Sequence, residues 1–378
     1  MRVLFITKQQ YMAKDLLADR FGRFYEIPRV LAQSGHEVHG VCLRYRPEQI
    51  TSGTRRSHDF VAWSSFYLGR DLPLGFVRHY ARLLKLARRI RPDVLVGASD
   101  CFHIIMASRL ASKLNIPYVI DLYDNFEAYS ATQIPGLKQW YRYAVRKAAA
   151  VSVVSDALSA KIESEYCPRG SVRTITNAVA PEFFHAGEKV MARRTLGLPE
   201  AGLLVGSAGS LTASRNIAVL YRAFERVKNV DSRVSLVLAG PADKRLISQV
   251  SNKTIYLGEI SHKRVGELFR ALDVGIICNR DDDFGRYCFP QKLFEMLACR
   301  LPLVAADVGA SQSLLRGSDI CLYHPGSEDS LAKAIHAQLA ARHLPALPIP
   351  TWQDRGLEFG ELLTKTVSTS AKCLMVAI

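Results

Sequence analysis

Phe289-Pro290-Gln291-Lys292-Leu293-Phe294-Glu295-Met296-Leu297-Ala298 runs on into Pro302-Leu303-Val304-Ala305-Ala306-Asp307-Val308-Gly309. The first segment reads as a polar loop and a helix opened by proline, the second as a buried strand. Proline suits the first helical position, where its missing N–H would be unpaired anyway. The free N–H groups of such a first turn attract anions. Lys292 adds a full positive charge there. Glu295 lies three residues on, on roughly the same helix face, and a carboxylate can accept from two adjacent ribose hydroxyls. The segment therefore suits a nucleoside diphosphate. The residue types alone describe equally well an ordinary amphipathic helix with a solvated Lys–Glu pair.

Working outward, the second half holds further short apolar runs. They are Leu203 to Gly209, Val234 to Ala239, Ile255 to Leu257 and Val274 to Ile277, with Leu303 to Ala306 as the last. The first half shows the same rhythm: a strand over residues 2–6, a helix from Tyr25 to Ser34 stopped by Gly35, and a strand from Glu37 to Cys42. Later strands are expected at Val94–Gly97, Tyr118–Asp121, Val151–Val154 and Val172–Ile175. Such runs, separated by helices, are typical of parallel sheets covered on both faces. Residues 181–200, with Pro181, Gly187, Gly197 and Pro199, read as a linker. The expected organisation is α/β: two Rossmann-like, doubly wound domains over 1–185 and 186–350, facing a central cleft. A helical tail over 351–378 crosses back toward the first.

A second polar loop, Gly209-Ser210-Leu211-Thr212-Ala213-Ser214-Arg215-Asn216-Ile217, follows the first strand of the second half, where parallel sheets bind ligands. Gly209 allows close backbone approach, and Arg215 can grip a phosphate with two donors. A surface arginine on a polar loop is the plainer alternative.

Composition narrows the class. The chain has 378 residues and a net charge of +15. Residues 1–180 carry 26 Lys+Arg against 15 Asp+Glu, or +11, and the remainder 24 against 20, or +4. The first half thus carries the basic surface, which suits an anionic partner. No apolar run reaches the roughly 18–20 residues of a membrane span, and the opening residues are too short in apolar character for a signal peptide, so a cytoplasmic location is expected. The eight cysteines form no Cys-x-x-Cys pair, so a zinc site is not expected. A nicotinamide enzyme is disfavoured, since Thr7-Lys8-Gln9-Gln10-Tyr11 lacks Gly-x-Gly-x-x-Gly. No nucleic-acid recognition motif is present. Residues 78–91 read as a basic helix with Arg78, Arg82, Lys85 and Arg89 on one face, and 138–147 as another with Trp140, Tyr141 and Tyr143. Both suit either an anionic membrane surface or an ordinary solvated helix face.

The second half resembles the donor-binding domain of GT-B glycosyltransferases of the retaining family-4 type. Gly209-Ser210-Leu211-x-x-x-Arg215-Asn216 is similar to that family's Gly-Arg-Leu-x-x-x-Lys-Gly diphosphate loop, with Arg215 at the lysine and Ser210 replacing the arginine. Leu236 to Gly240, then Tyr256-Leu257-Gly258, follow the family order. Pro290-x-Lys292-x-x-Glu295 resembles its Pro-x-Lys-x-x-Glu, and Asp307-Val308-Gly309 its Asp-x-Gly. An earlier family glutamate that faces the sugar is Tyr287 here, which leaves Asp282 or Asp283, within Asp281-Asp282-Asp283, as sugar-facing candidates. In the first half, Phe21-Gly22-Arg23 resembles the family's first glycine loop, so Gly22 and Arg23 become acceptor or sugar candidates. Tyr123-Asp124 stands where the family often has His-Asp, with Glu127 nearby as a second carboxylate for acid–base work. Asn177-Ala178-Val179 resembles the family's Asn-Gly-Val.

The resemblance implies transfer of a hexose, with retention and with no metal cofactor, from a nucleoside-diphosphate sugar to a hydroxyl of a glycan or lipid-linked acceptor. It implies donor binding by Gly209, Ser210, Arg215, Gly240, Pro290, Lys292, Leu293 and Glu295, and chemistry at Arg215, Lys292 and Asp124. Two rivals stay open: a nucleotide-sugar epimerase on the same fold, and a non-catalytic nucleotide-sugar binder.

Overall fold

The computed structural model describes residues 1–11, 14–45, 55–58, 60–69, 72–243 and 253–376. They form two compact units, residues 1–177 with the C-terminal helix Trp352–Val376, and residues 178–351.

The first unit is built on one sheet. Its strands are β1 (Arg2–Lys8), β4 (Glu37–Arg44), β5 (Arg55–His58), β6 (Val61–Tyr67), β7 (Val94–Ala98), β8 (Tyr118–Leu122), β9 (Ala150–Val153) and β10 (Ser171–Thr174). β2 (Gln10–Tyr11) and β3 (Lys14–Asp15) make a separate short antiparallel pair. The order is β10-β9-β8-β7-β1-β4-β6-β5, parallel throughout except that β5 runs antiparallel to β6 at the edge. Val3, Leu4, Phe5 and Ile6 of β1 are fully buried, as expected of a strand covered on both faces. β1 pairs with β4 on one side and β7 on the other, so the strand order reverses there. Ligands favour the carboxyl ends of strands at such a point.

Strand β6 escaped the sequence reading. Its alternation of buried Val61, Trp63 and Ser65 with less buried Ala62, Ser64 and Phe66 holds no apolar run. Trp63 lies so close over Gly40 of β4 that a Cβ there would sit 2.1 Å from the indole, so only glycine fits.

The second unit has β11 (Leu203–Ala208), β12 (Val234–Ala239), β13 (Thr254–Tyr256), β14 (Val274–Ile277), β15 (Leu303–Ala306) and β16 (Leu322–Tyr323), in the all-parallel order β13-β12-β11-β14-β15-β16. The reversal falls between β11 and β14. Each sheet with its covering helices is a Rossmann-like layer structure.

Two expectations change. Residues 181–200 are not a bare linker. Lys189–Leu196 is a helix of the second unit, ended by Gly197 in the left-handed region, and its buried Arg193 donates to Asp273 at 2.7 Å and to the Ala271 carbonyl at 3.0 Å. The flanking glycines and prolines hid this short helix. The division between the units falls at 177/178 rather than 185/186, because Phe183 and Phe184 pack edge-on to His262 at 5.7 and 4.8 Å. The tail is a helix of the first unit: its Phe359 is buried 6.3 Å from Phe5, and Gly356 admits the close approach of Val30.

Candidate functional site

In the second unit the carboxyl ends of β11 and β12 touch. Gly209 has φ 117° and Gly240 φ 124°, conformations that favour glycine. A Cβ on Gly240 would meet the Gly209 carbonyl oxygen at 2.1 Å, and one on Gly209 would crowd the Lys292 Nζ at 3.1 Å. Lys292, in the first turn of the helix Gln291–Ala298, donates to the Ala208 carbonyl at 2.7 Å. Burial lowers its pKa first, and nearby Arg215 lowers it further. Arg215 ends the short 3-10 turn Ala213–Arg215 that precedes the helix Ile217–Val230. Neither cation has a carboxylate within ion-pair distance among the described residues. The solvated Lys–Glu pair allowed by the sequence does not form.

Glu295 is instead buried, 4% exposed. It accepts from Gln291 Nε2 at 2.8 Å and lies 3.3 Å from His262 Nε2. The second oxygen-bearing group here, Gln291 Oε1, is buried and has no hydrogen-bond partner among the described residues. His262 and Gln291 were missed by sequence reasoning. The His262 contact spans 33 residues, and no local pattern announces it.

One expected detail is corrected, and two further candidates are placed. Pro290 sits one position before the helix, as its cap, and its carbonyl accepts from the Leu293 N–H at 2.8 Å. The Leu293 side chain is fully buried in the core and presents nothing to a ligand. Ser210 is exposed, its hydroxyl 3.3 Å from that of Thr212.

The acidic run is also different from the expectation. Asp282 Oδ1 accepts from the Phe284 and Gly285 N–H groups at 3.1 and 2.9 Å, and Oδ2 faces Arg280 at 3.4 Å. Asp281 pairs with Arg286 at 2.7 Å, and Asp283 is exposed. Asp282 thus holds its own turn. Phe284, which that turn carries, lies under the Arg215 guanidinium, 4.1 Å from Cζ to the ring centroid.

In the first unit, Gly22 (φ 77°) opens the helix Arg23–Gln33. Arg23 is not a ligand contact. Its side chain is fully buried, paired with Asp121 at 2.7 and 2.8 Å and donating to the Ile175 and Thr176 carbonyls and to Ser152. It ties the ends of β8, β9 and β10 together. Tyr123 and Asp124 follow β8 directly. Tyr123 Oη accepts from Lys8 Nζ at 3.0 Å, and Asp124 accepts from Tyr129 Oη at 2.6 Å and from the Asn125 N–H at 2.8 Å. Lys8 ends β1 and was missed by sequence reasoning. Burial lowers its pKa, against the raising influence of Asp100 and Asp124. Asp100, beyond β7, contacts His103 Nδ1 at 2.6 Å, accepts from Tyr45 Oη at 2.9 Å and caps the helix Cys101–Leu114. Burial raises its carboxyl, but His103, Lys8 and Tyr45 together leave it below the usual range. Lys8, Asp100, Tyr123 and Asp124 form a polar cluster at the carboxyl ends of three adjacent strands. Glu127 is not the second acid. Burial raises it, yet hydrogen bonds from Arg142, Tyr166 and Lys138 bring it down to about 2.

The basic helices form as Leu72–Ile90 and Leu137–Lys147. Arg78, Arg82, Lys85 and Arg89 are exposed. So are Trp140 and Tyr143, while Tyr141 is core. Among the described residues no group of three or more His, Cys, Asp or Glu is placed to hold a metal ion, and no helix is long and apolar enough to cross a membrane.

Two doubly wound units, one of them gathering glycines and unpaired cations at its sheet's carboxyl end, define a two-domain α/β chain of the kind that handles nucleotides. Residues 23–178 match the Glycosyl transferase 4-like domain, and residues 202–341 match the Glycosyl transferases group 1 family. The chain belongs to the GT-B glycosyltransferases of that group. It is 30% identical over 166 residues to a D-inositol 3-phosphate glycosyltransferase of Stackebrandtia nassauensis, covering 37% of this chain and 36% of that protein, so the match spans about a third of the relative's length. Its fold is similar to the sucrose-phosphate synthase of Thermosynechococcus elongatus, with TM-score 0.74, 16% identity and 100% of both chains covered. It is likewise similar to Anabaena HepE in complex with UDP, with TM-score 0.69, 16% identity and 100% of both chains covered.

Proposed function

We propose that this glycosyltransferase moves a hexose from a nucleoside-diphosphate sugar to a hydroxyl of a glycan or lipid-linked acceptor, with retention of configuration and without a metal. The observation that carries the reading is the pair Arg215 and Lys292, two partly buried cations beside Gly209 with no carboxylate partner among the described residues. A diphosphate supplies the missing negative charge, and such donors stabilise a leaving group as charge develops on it. Glu295, held by Gln291 and His262, accepts from the ribose hydroxyls. HepE, similar in fold, forms a complex with UDP, which supports a nucleotide as the ligand of this fold. On the first unit, the Lys8–Tyr123–Asp124 cluster binds the acceptor or sugar hydroxyls. Asp124, already hydrogen-bonded, orients them.

The basic first unit suits a lipid-linked acceptor at an anionic bilayer. Ile134, Trp140 and Tyr143 are each about half exposed beside Lys138, Arg146 and Lys147. Interfacial aromatics flanked by cations favour an anionic membrane surface.

The test is turnover of UDP- and GDP-hexoses by the full chain, with and without an acceptor lipid extract, and NMR of the product's anomeric configuration. Product that requires acceptor supports transfer. Donor conversion without acceptor indicates an epimerase, and tight binding without turnover indicates a non-catalytic binder. Sedimentation with anionic against zwitterionic vesicles tests the membrane surface separately.

A further inference from the structure

Arg215 carries a long side chain with no ion pair among the described residues, and ordering such a side chain costs conformational entropy. Phe284 lies 4.1 Å below its guanidinium. The turn that bears Phe284 is fastened from several sides. Asp282 Oδ1 takes the N–H groups of Phe284 and Gly285, Arg286 N–H returns to the Asp282 carbonyl at 2.9 Å, and Cys288 N–H to the Phe284 carbonyl at 2.9 Å. At Gly285 a Cβ would lie 1.8 Å from the Arg280 carbonyl oxygen. Gly309, with φ 56°, approaches the turn so closely that its own Cβ would fall 2.5 Å from the Gly285 carbonyl oxygen. The turn is therefore wedged against the carboxyl end of β15.

We propose that the acidic turn is a positioning device, in which Asp282 fixes Phe284 as a platform that holds Arg215 ready for the donor's diphosphate. A guanidinium stacked on an aromatic face keeps its edge N–H groups free for phosphate oxygens, which a lysine at that position would not do. This explains why acidic residues stand close to an anion site. Their carboxylates are engaged with backbone N–H groups and with Arg280 and Arg286. The inference rests on the diphosphate reading of the site, and assigns Phe284 and Asp282 as positioning residues rather than sugar contacts.

The experiment is calorimetric titration of the full chain with UDP, GDP, ADP and dTDP, each paired with its parent nucleoside, at two salt concentrations. Wild type, Phe284→Leu, Phe284→Tyr and Asp282→Ala are compared, with melting curves to confirm folding. The expected result is a loss of about fivefold to tenfold in affinity for the bound diphosphate in Phe284→Leu. Nucleoside affinity stays level, and Phe284→Tyr recovers binding because it keeps the ring. Asp282→Ala follows Phe284→Leu. Folded Phe284→Leu that binds diphosphate as wild type does, or loses nucleoside equally, overturns the platform. Should Phe284→Leu not fold, Asp282→Ala that loses affinity for a nucleotide sugar but not for the free diphosphate overturns it in favour of a sugar contact. Wild type that binds none of the four diphosphates overturns the diphosphate reading itself, and the platform with it.

Discussion

Lys8 and Lys292 both lie close to the carboxyl end of a central parallel strand, and burial lowers the pKa of each. Their surroundings differ. Lys8 donates to Tyr123 and stands near Asp100 and Asp124, so the first unit offsets part of the cost of burying its cation. Lys292 donates to a backbone carbonyl, its cationic neighbour Arg215 adds repulsion, and Glu295 supplies a smaller attraction. Burying charge that is not fully paired is costly, and two cations that meet raise that cost. The contrast separates a cation set near two carboxylates from a pair of cations set near one.

The largest effect belongs to neither lysine. Arg23→Met leaves the buried Asp121 without its partner and should destabilise the first unit by about 3–5 kcal/mol in denaturant unfolding, with nucleotide affinity of the folded fraction unchanged. An unaltered midpoint would show that Arg23 is not the tie described here. Next, Lys292→Met should weaken nucleoside-diphosphate binding by roughly 10- to 100-fold, the scale of a lost charged hydrogen bond. The same substitution should leave the ligand-free protein at least as stable at neutral pH. The sign follows from the lowered pKa: the fold disfavours the ammonium, that penalty is present while Lys292 is charged, and it fades as pH rises toward the unfolded value. Lys8→Met is the counter-experiment. It strips Tyr123 of its hydrogen bond and two aspartates of a nearby cation, and should leave diphosphate affinity level; a loss of affinity as large as that of Lys292→Met would break the comparison.

Much of this was legible in the sequence. The short strand-like runs placed eleven strands within a residue or two, because parallel strands buried on both faces are recorded as nearly unbroken hydrophobic stretches. The placing of Arg215, Lys292 and Glu295 in or just after strand-to-helix loops of the second unit was legible because the flanking apolar strands mark where those loops fall. Arg23, Asp282 and Glu127 were misread for one common reason. A charged residue next to a glycine loop or strand end has the same local sequence whether it faces a ligand or a partner 98 residues away, as Arg23 faces Asp121. Lys8, His262 and Phe284 acquire their roles only through such distant contacts.

The smallest expected effect concerns Glu127, which is partly solvent-screened. Its folded pKa of about 2 lies below the ordinary carboxylate value, so its ion pairs with Arg142 and Lys138 stabilise the fold fully above about pH 4.5, and this contribution is lost as pH falls toward 2. Glu127→Gln should therefore narrow the stability difference from wild type progressively across that window. A difference that persists at pH 2 would assign the effect to packing.

The most direct test of the central contrast is a thermal-shift titration of wild type and Lys292→Met with UDP, GDP, ADP and dTDP. The account predicts that one nucleotide raises the wild-type melting temperature, that the variant shows no such rise, and that the variant without ligand melts no lower than wild type. A variant that still responds to the nucleotide, or that melts well below wild type without it, would mean that Lys292 serves the fold rather than a ligand.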